Sequence, residues 1–335
     1  MDYTLERNNL IDVYNICKNA ISNRLSSEIA LKVGVEFEFF LLKKDDVNID
    51  FSTIIEPLSE EFRNYTKYKY NHPEIVNISN KIREKMQEFS CEISSFERED
   101  GKNQFEIQFS PVWHPVEICD SIARFRKYLS EIADSAGFIA IFNAKPFAGD
   151  MGSAVHVNIS LYNAEGVNIF QHFGDFSHIL THALGGLMKN SKPLIYLSCL
   201  DDKNAYYRFK RPQFGQMHIN YPTNFSWGYN NRTCMIRIPT SVNMDMQNTR
   251  IEFRTATPLC NPYKLISGLF FAITDGIVNN HTPPDPLYGN AFDRQYDNLE
   301  ILPKNLDDAL EMYKITSISR IIAGDISIIA KLLPA

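Results

Sequence analysis

The sequence predicts an α+β fold in which helices cover a curved antiparallel β-sheet, and three observations carry that prediction. Segments 35–40, 104–109, 155–161 and 250–254 alternate an apolar with a polar face at a period of two, as strands do. Stretches with helical spacing lie before, between and after them. No internal repeat or low-complexity linker interrupts the chain, so strands and helices belong to one layered body. The polar strand faces have unusual chemistry: Glu36 shares a face with Glu38, Glu106 lies between Gln104 and Gln108, His156 joins Asn158, and Glu252 lies between Arg250 and Arg254. A solvated sheet face more often carries Thr, Lys, Ser and Gln. Carboxylates grouped with an imidazole suit hard divalent cations.

The elements follow in order. Leu10, Ile11, Val13, Tyr14, Ile16, Cys17, Ala20 and Ile21 recur at helical spacing, so an amphipathic helix opens the chain. The first acidic strand spans 31–43. Residues 44–80, rich in Asn, Asp and Tyr with little periodicity, are expected as irregular or short helical cover. A helix over 79–89 leads into a hairpin with strands at 92–98 and 103–110, turned at Asp100-Gly101. Pro115 suits the first turn of a helix reaching residue 136. Strands over 138–145 and 153–162 and a helix over 170–189 come next. The stretch 190–230 reads as loop and carries Lys203, Arg208, Lys210 and Arg211. Strands at 232–238 and 249–256 precede a helix from Asn261-Pro262 to residue 279. Pro283, Pro284 and Pro286 mark a loop, and helices over 306–313 and 316–333 close the chain.

Composition narrows the functional classes. With 335 residues, 44% of them hydrophobic, the chain can bury a large core. A net charge of −6 without a basic block argues against nucleic acid or an anionic membrane as partner. Six cysteines, Cys17, Cys91, Cys119, Cys199, Cys234 and Cys260, form no CxxC pair, so reduced thiols are expected rather than a disulfide framework or a zinc site. The opening MDYTLERNN has no basic segment followed by an apolar one, which favours a cytoplasmic protein.

Five ordered motifs, Gly34-Val-Glu-Phe-Glu-Phe-Phe-Leu, Asn103-Gln-Phe-Glu-Ile, Lys145-Pro-Phe-Ala-Gly-Asp-Met-Gly-Ser-Ala-Val-His, Asn231-Arg-Thr-Cys-Met-Ile-Arg-Ile-Pro and Arg250-Ile-Glu-Phe-Arg, resemble the glutamine synthetase catalytic domain. The resemblance runs from about residue 31 to the C-terminus. It implies the half-barrel sheet shared with glutamate–cysteine ligases and guanidino kinases. It also implies ATP and two or more Mg²⁺ or Mn²⁺ ions, in chemistry where ATP phosphorylates a carboxylate and an amine displaces the phosphate.

Carried over position by position, the resemblance places one metal on Glu38, Glu99 and Glu106 and a second on Glu36, His156 and Glu252. Glu97 stands two residues before Glu99, and a shift of hairpin register would exchange them. Arg232, Arg237 and Arg250 fall where the family handles phosphate, a task suited to a planar, permanently charged fork. Asn158 falls beside the nucleotide. Arg254, Arg208 and Gly152 fall on the substrate side, with Arg211 as a substitute for Arg208. Each fragment alone has an ordinary structural explanation, a solvated Glu-x-Glu face or an intrastrand ion pair; it is their joint occurrence in family order that points to a site. The remaining histidines, His114, His172, His178 and His218 among them, and the 244–246 methionine stretch have no such pattern.

Four departures bear on substrate. Only residues 1–35 precede Glu36, where glutamine synthetases carry a β-grasp domain of roughly a hundred residues. The chain is therefore expected as one catalytic domain, an N-terminal helix over 1–30 and a core over 31–335; neither the family's closed double ring nor its intersubunit site carries over, and any homo-oligomer is expected to differ from that ring. The flap reads Pro212-Gln-Phe-Gly-Gln, with no acid to capture ammonium. Met151 replaces an asparagine that holds the glutamate amino group, and Asn158 replaces a histidine. The resulting expectation is an ATP-dependent carboxylate–amine ligase acting on glutamate or another small carboxylate and an amine other than ammonia. A kinase that stops at phosphoryl transfer and a silent nucleotide-binding homologue are the alternatives. Residues 44–80 and 200–230 are the expected lids, and Tyr65, Tyr68 and Tyr70 are either acceptor-pocket or surface side chains.

Overall fold

The computed structural model describes residues 2–47, 49–59, 66–69, 71–89, 92–172, 175–210, 221–239 and 248–333. Helix α1 (Thr4–Leu25) buries Leu10, Val13, Tyr14, Cys17 and Ile21 of the predicted apolar stripe, while Ile11, Ile16 and Ala20 at its edges are partly buried. It ends on Ser26 at φ 52, whose N–H closes on Asn23 O.

The long strand β1 (Ile29–Lys43) is the spine of the sheet. It pairs antiparallel with β3 (Gln104–Val112) on one side and β5 (Val155–Asn163) on the other, and its end pairs with β4 (Phe138–Ile141). Strand β2 (Ile93–Arg98) lies outside β3. Beyond β5 come β10 (Ile251–Ala256), β9 (Ile236–Ile238) and β8 (Trp227–Tyr229), giving eight strands in the order β2-β3-β1-β5-β10-β9-β8 with β4 on β1. One pair departs from the all-antiparallel expectation. β8 and β9 run parallel because the chain doubles back over 230–235, with Asn230 at φ 49, so that Ile236 restarts beside Trp227.

One face of this sheet is the core. Val35, Phe37, Phe39, Phe105, Ile107, Phe109, Val155, Val157, Ile159, Ile251 and Phe253 are each 2% exposed or less, so the predicted apolar face is the buried one. Phe125 of α3 (Pro115–Ser135) sits edge-on to Phe37, Phe39 and Phe109 at centroid distances of 5.3, 5.7 and 5.6 Å. Burying each phenyl ring contributes about 1.5–3 kcal/mol. Phe40 points the other way and joins Leu42, Phe51, Ile141 and Phe147 in a second, smaller cluster.

The helical layer differs from expectation where local capping overrides periodicity. Helix α2 (Pro73–Met86) starts earlier than residue 79, because His72 Nδ1 accepts the Glu74 N–H and Pro73 takes the first turn. The expected helix over 170–189 is a short hairpin, β6 (Gln171–His172) with β7 (Asp175–Phe176), followed by α4 (His178–Lys189), whose start is set by Ser177 Oγ accepting from Leu180 N. The expected loop after residue 190 contains α5 (Ser191–Cys199) and a 3₁₀ turn (Ala205–Phe209); Pro193 stands in the first turn of α5, where proline is tolerated. Helix α6 (Pro262–Asn279) packs on α4 through Gly186 and Gly276, where a Cβ on Gly186 would lie 2.0 Å from Ala272 O. After α7 (Leu306–Tyr313), the expected single last helix is two, α8 (Ser317–Ile322) and α9 (Ser327–Leu332), separated at Gly324 with φ 95. Among the described residues no helix is long and apolar enough to cross a membrane.

Candidate active site

The opposite face of the sheet gathers the polar residues in rows, because cross-strand partners share a face. Glu97, Glu106 and Glu38 form one row across β2, β3 and β1. Gln108, Glu36 and His156 form the next, across β3, β1 and β5. Asn158, Glu252 and Arg237 form a third, across β5, β10 and β9. They line an open pocket of about 390 Å³, whose walls also include Glu99, Gly152, Arg208, Arg232, Arg250 and Arg254. Of the thirteen residues expected in the site, only Asn158 lies outside that pocket. It lines an adjoining hollow of about 210 Å³ that shares Glu36, Gln108 and Arg250 with it.

His156 is the centre of the acidic cluster. Its Nδ1 lies 2.9 Å from Glu36 and 3.8 Å from Glu252, and its Nε2 3.9 Å from Glu38. Two sets place their ligand atoms within 4.8 Å of one another, Glu36–His156–Glu252 and Glu38–Glu106–His156. The first is the second-metal set drawn from the motifs. The second shares two carboxylates with the other expected set and uses His156 in place of Glu99. Oxygen donors with one imidazole, arranged as two adjoining sets, fit hard divalent ions.

Electrostatics divides the carboxylates into two kinds. Glu38 and Glu106 are each pushed up to about 8, first by burial, then by the neighbouring charges of Glu99 for Glu38 and of Glu36 and Glu99 for Glu106. Burial raises Glu99 as well, with Asp100 beside it. Glu36 also pays for burial, yet His156 and Asn158 bind it and hold it down at about 2. Glu252, 1% exposed, is likewise lowered despite its burial, by Arg254, His156 and Arg237. Burial lowers His156, helped by Arg254, which favours the neutral imidazole that a metal requires. Glu97 and Glu99 both line the pocket; Glu97 is exposed in the Glu106 row, whereas Glu99 is half-buried and raises both Glu38 and Glu106.

The arginines face this cluster. Arg237 Nη1 donates to Glu252 Oε2 at 2.8 Å, and Arg254 Nη1 donates to Glu252 Oε1. Arg250 Nε donates to Asn158 Oδ1 at 2.9 Å, and Arg232 is exposed at the rim. Arg208 lines the pocket too, but all four hydrogen bonds it makes go to backbone carbonyls. Gln104 and Gln108 were visible on the strand faces without an assigned task. Gln104 Nε2 donates to Glu38 Oε2 at 3.2 Å and Gln108 Nε2 to Glu106 Oε1 at 3.3 Å, so both orient acids. Tyr221 and Pro222 also line the pocket, and no motif pointed to them. Tyr68 is 5% exposed and packs edge-on against Phe138, so it is neither a surface nor a pocket side chain. His114 caps α3 through Val116 N. Tyr65, Tyr70, Cys91, Arg211, His218, the 212–216 flap and the 244–246 stretch lie outside the described residues.

Carboxylates and an imidazole in two sets that could each hold a divalent ion face guanidiniums across one pocket on an open, eight-stranded sheet. The chain belongs to the glutamine synthetase catalytic-domain family, whose model matches residues 12–324. Type-1 glutamine synthetase 1 of Dictyostelium discoideum is 31% identical over 291 residues, 85% of this chain and 56% of that protein. Glutamine synthetase of Pyrococcus furiosus is 29% identical over 319 residues, 94% of this chain and 68% of that protein. The chain thus spans between about half and two-thirds of the length of these relatives. A solved structure titled GmaS/ADP complex shares the fold, with a TM-score of 0.75 at 24% identity, covering 98% of this chain and 72% of that one. Enzymes of the family use ATP with Mg²⁺ or Mn²⁺.

Proposed function

We propose that this chain is the catalytic core of an ATP-dependent carboxylate–amine ligase, which forms an amide through an acyl phosphate from glutamate or another small carboxylate and an amine other than ammonia. The observation that carries this reading is the single pocket in which both acid sets face Arg232, Arg237, Arg250 and Arg254. In this reading Glu36, His156 and Glu252 hold one ion, and Glu38 and Glu106, with Glu99 or Glu97 beside them, hold another. Bound ions and ATP would supply charge neutralisation and the phosphoryl group. Asn158 and Arg250 border the smaller hollow, which suits the nucleoside end of ATP, and the shared Glu36, Gln108 and Arg250 then mark the phosphate end.

The substrate side supports an altered specificity. Met151 lines the pocket next to Gly152, and a thioether cannot hold an ammonium as an amide would. Five described cysteines are free and buried, which suits a reducing compartment. The test is ADP release with Mg²⁺ or Mn²⁺ across a matrix of small carboxylates and amines that includes glutamate, ammonia and hydroxylamine. Turnover that needs both an acid and an amine, with a hydroxamate formed from hydroxylamine, is the expected result. Turnover without any amine would make the protein a kinase, and none under every combination would make it a nucleotide-binding homologue. In either case the ligase reading fails.

A further inference from the structure

We propose that a second cavity, backed onto the active-site pocket, binds a small organic anion with an aromatic or branched hydrocarbon body. Two short segments form the wall between the hollows, and their residues divide between its sides. In the 3₁₀ turn Arg208 lines the active-site pocket, whereas Tyr206 and Phe209 line the second cavity. In the next described segment Tyr221 and Pro222 line the first and Thr223 and Asn224 the second. The two hollows have no described lining residue in common. A short ribbon fixes the second cavity's other side: Leu302 N donates to Thr223 O at 2.9 Å, Phe225 N donates to Glu300 O at 2.9 Å, and Asn224 forms an antiparallel bridge with Ile301.

The chemistry of this cavity is unlike that of the active site. It holds about 420 Å³, a volume within the range of small-molecule sites. Phe209, Leu299, Ile301 and Leu302 give it apolar walls, and the Tyr206 ring stands edge-on to Phe209 at a centroid distance of 6.3 Å. Neither acid set of the active site reaches it. Among the described residues its charged groups are Lys210, Lys304 and Asp297. Both lysines are exposed, and Lys210 Nζ lies 3.7 Å from the centre of the Tyr207 ring. Their stems can lie along the apolar wall while the ammonium groups stay at the mouth. Asp297 already has an interaction of its own. Two cations beside one engaged acid select an anionic head group. The walls select a hydrocarbon body, which would also cover Ile301, 53% exposed at the mouth.

This inference does not rest on the ligase reading, and its test needs no turnover. Anilinonaphthalene sulfonate serves as the anionic probe and N-phenylnaphthylamine as its uncharged counterpart, with binding to the whole chain followed by probe fluorescence. The titrations are run with and without saturating ADP and Mn²⁺, which displace any probe from the active-site pocket. A saturable sulfonate site that ADP leaves in place is expected, with the uncharged probe roughly tenfold weaker there. Lys304→Glu, a change at an exposed side chain, should weaken the sulfonate roughly tenfold and leave the uncharged probe within about twofold of wild type. Leu299→Trp, which fills the cavity, should weaken both probes, and Lys304→Glu keeps the test decisive if that variant fails to fold. Complete displacement by ADP, equal affinity for the two probes, or wild-type sulfonate binding in Lys304→Glu would each overturn the proposal, as would the absence of any saturable site.

Discussion

Replacing Glu106 with glutamine should strengthen the metal-free fold while it removes the site's chemistry. Glu106 is 9% exposed, and burial together with Glu36 and Glu99 pushes it up to about 8. Its unfolded value is near 4.5. A carboxyl whose folded value is raised contributes stability that is full below pH 4.5 and is lost as the pH climbs toward 8. At pH 7 the native state must hold a proton that the unfolded chain has released about 2.5 pH units earlier, a cost of about 3 kcal/mol. Glutamine keeps the shape and can still accept from Gln108 Nε2 through its carbonyl, and it carries no such cost. With an unfolding entropy of about 2 cal/mol/K per residue, 3 kcal/mol raises the melting temperature of a chain this long by about 4 °C. Calorimetry of the metal-free protein at pH 7 should show that rise, shrinking toward nothing at pH 4.5. Saturating Mn²⁺ should stabilise the wild type strongly and Glu106→Gln little, and ADP release should fall at least 100-fold. A variant that melts lower without metal, or that Mn²⁺ still stabilises like the wild type, would refute both the crowding of the acids and their role as ligands.

Mn²⁺ affinity should rise as the pH is raised from 6 to 9, because Glu38 and Glu106, each held up at about 8, must lose protons to ligate; isothermal titration in two buffers of different ionisation enthalpy would show the released protons. Arg237→Ala leaves Glu252 one guanidinium short and removes an arginine that the proposed function assigns to phosphate, so weaker ADP binding together with tighter or unchanged Mn²⁺ binding is the expected pair of results. Phe37→Ala should cost about 3–5 kcal/mol in urea unfolding, since the ring is fully buried against Phe125 and leaves a cavity. Gly186→Ala should cost at least as much as an overpacked core substitution, about 1–3 kcal/mol, because the contact at 2.0 Å is with helix backbone that cannot rotate away.

Much of the site was legible because β-structure writes its faces into the sequence. Glu36, Glu38, Glu106, His156 and Glu252 could be placed on one face from parity alone, and cross-strand pairing then brought them together. The apolar partners of those residues are all core, for the same reason. Less legible were elements whose boundaries depend on a single cap, such as Ser177 before α4, or on Gly324 at φ 95 between α8 and α9. The residues themselves were present in the sequence, but periodicity does not report a cap.

The sequence by itself determined the donor types, their common face, and the helix–sheet alternation that buries the other face. The tertiary structure decided which atoms meet. Only it places His156 between Glu36, Glu38 and Glu252, lets Glu97 and Glu99 enter the same pocket, and turns Arg208 toward backbone carbonyls. Parity is a property of each strand alone, whereas register, bulges and the path of a long side chain depend on what the neighbouring strand leaves unpaired.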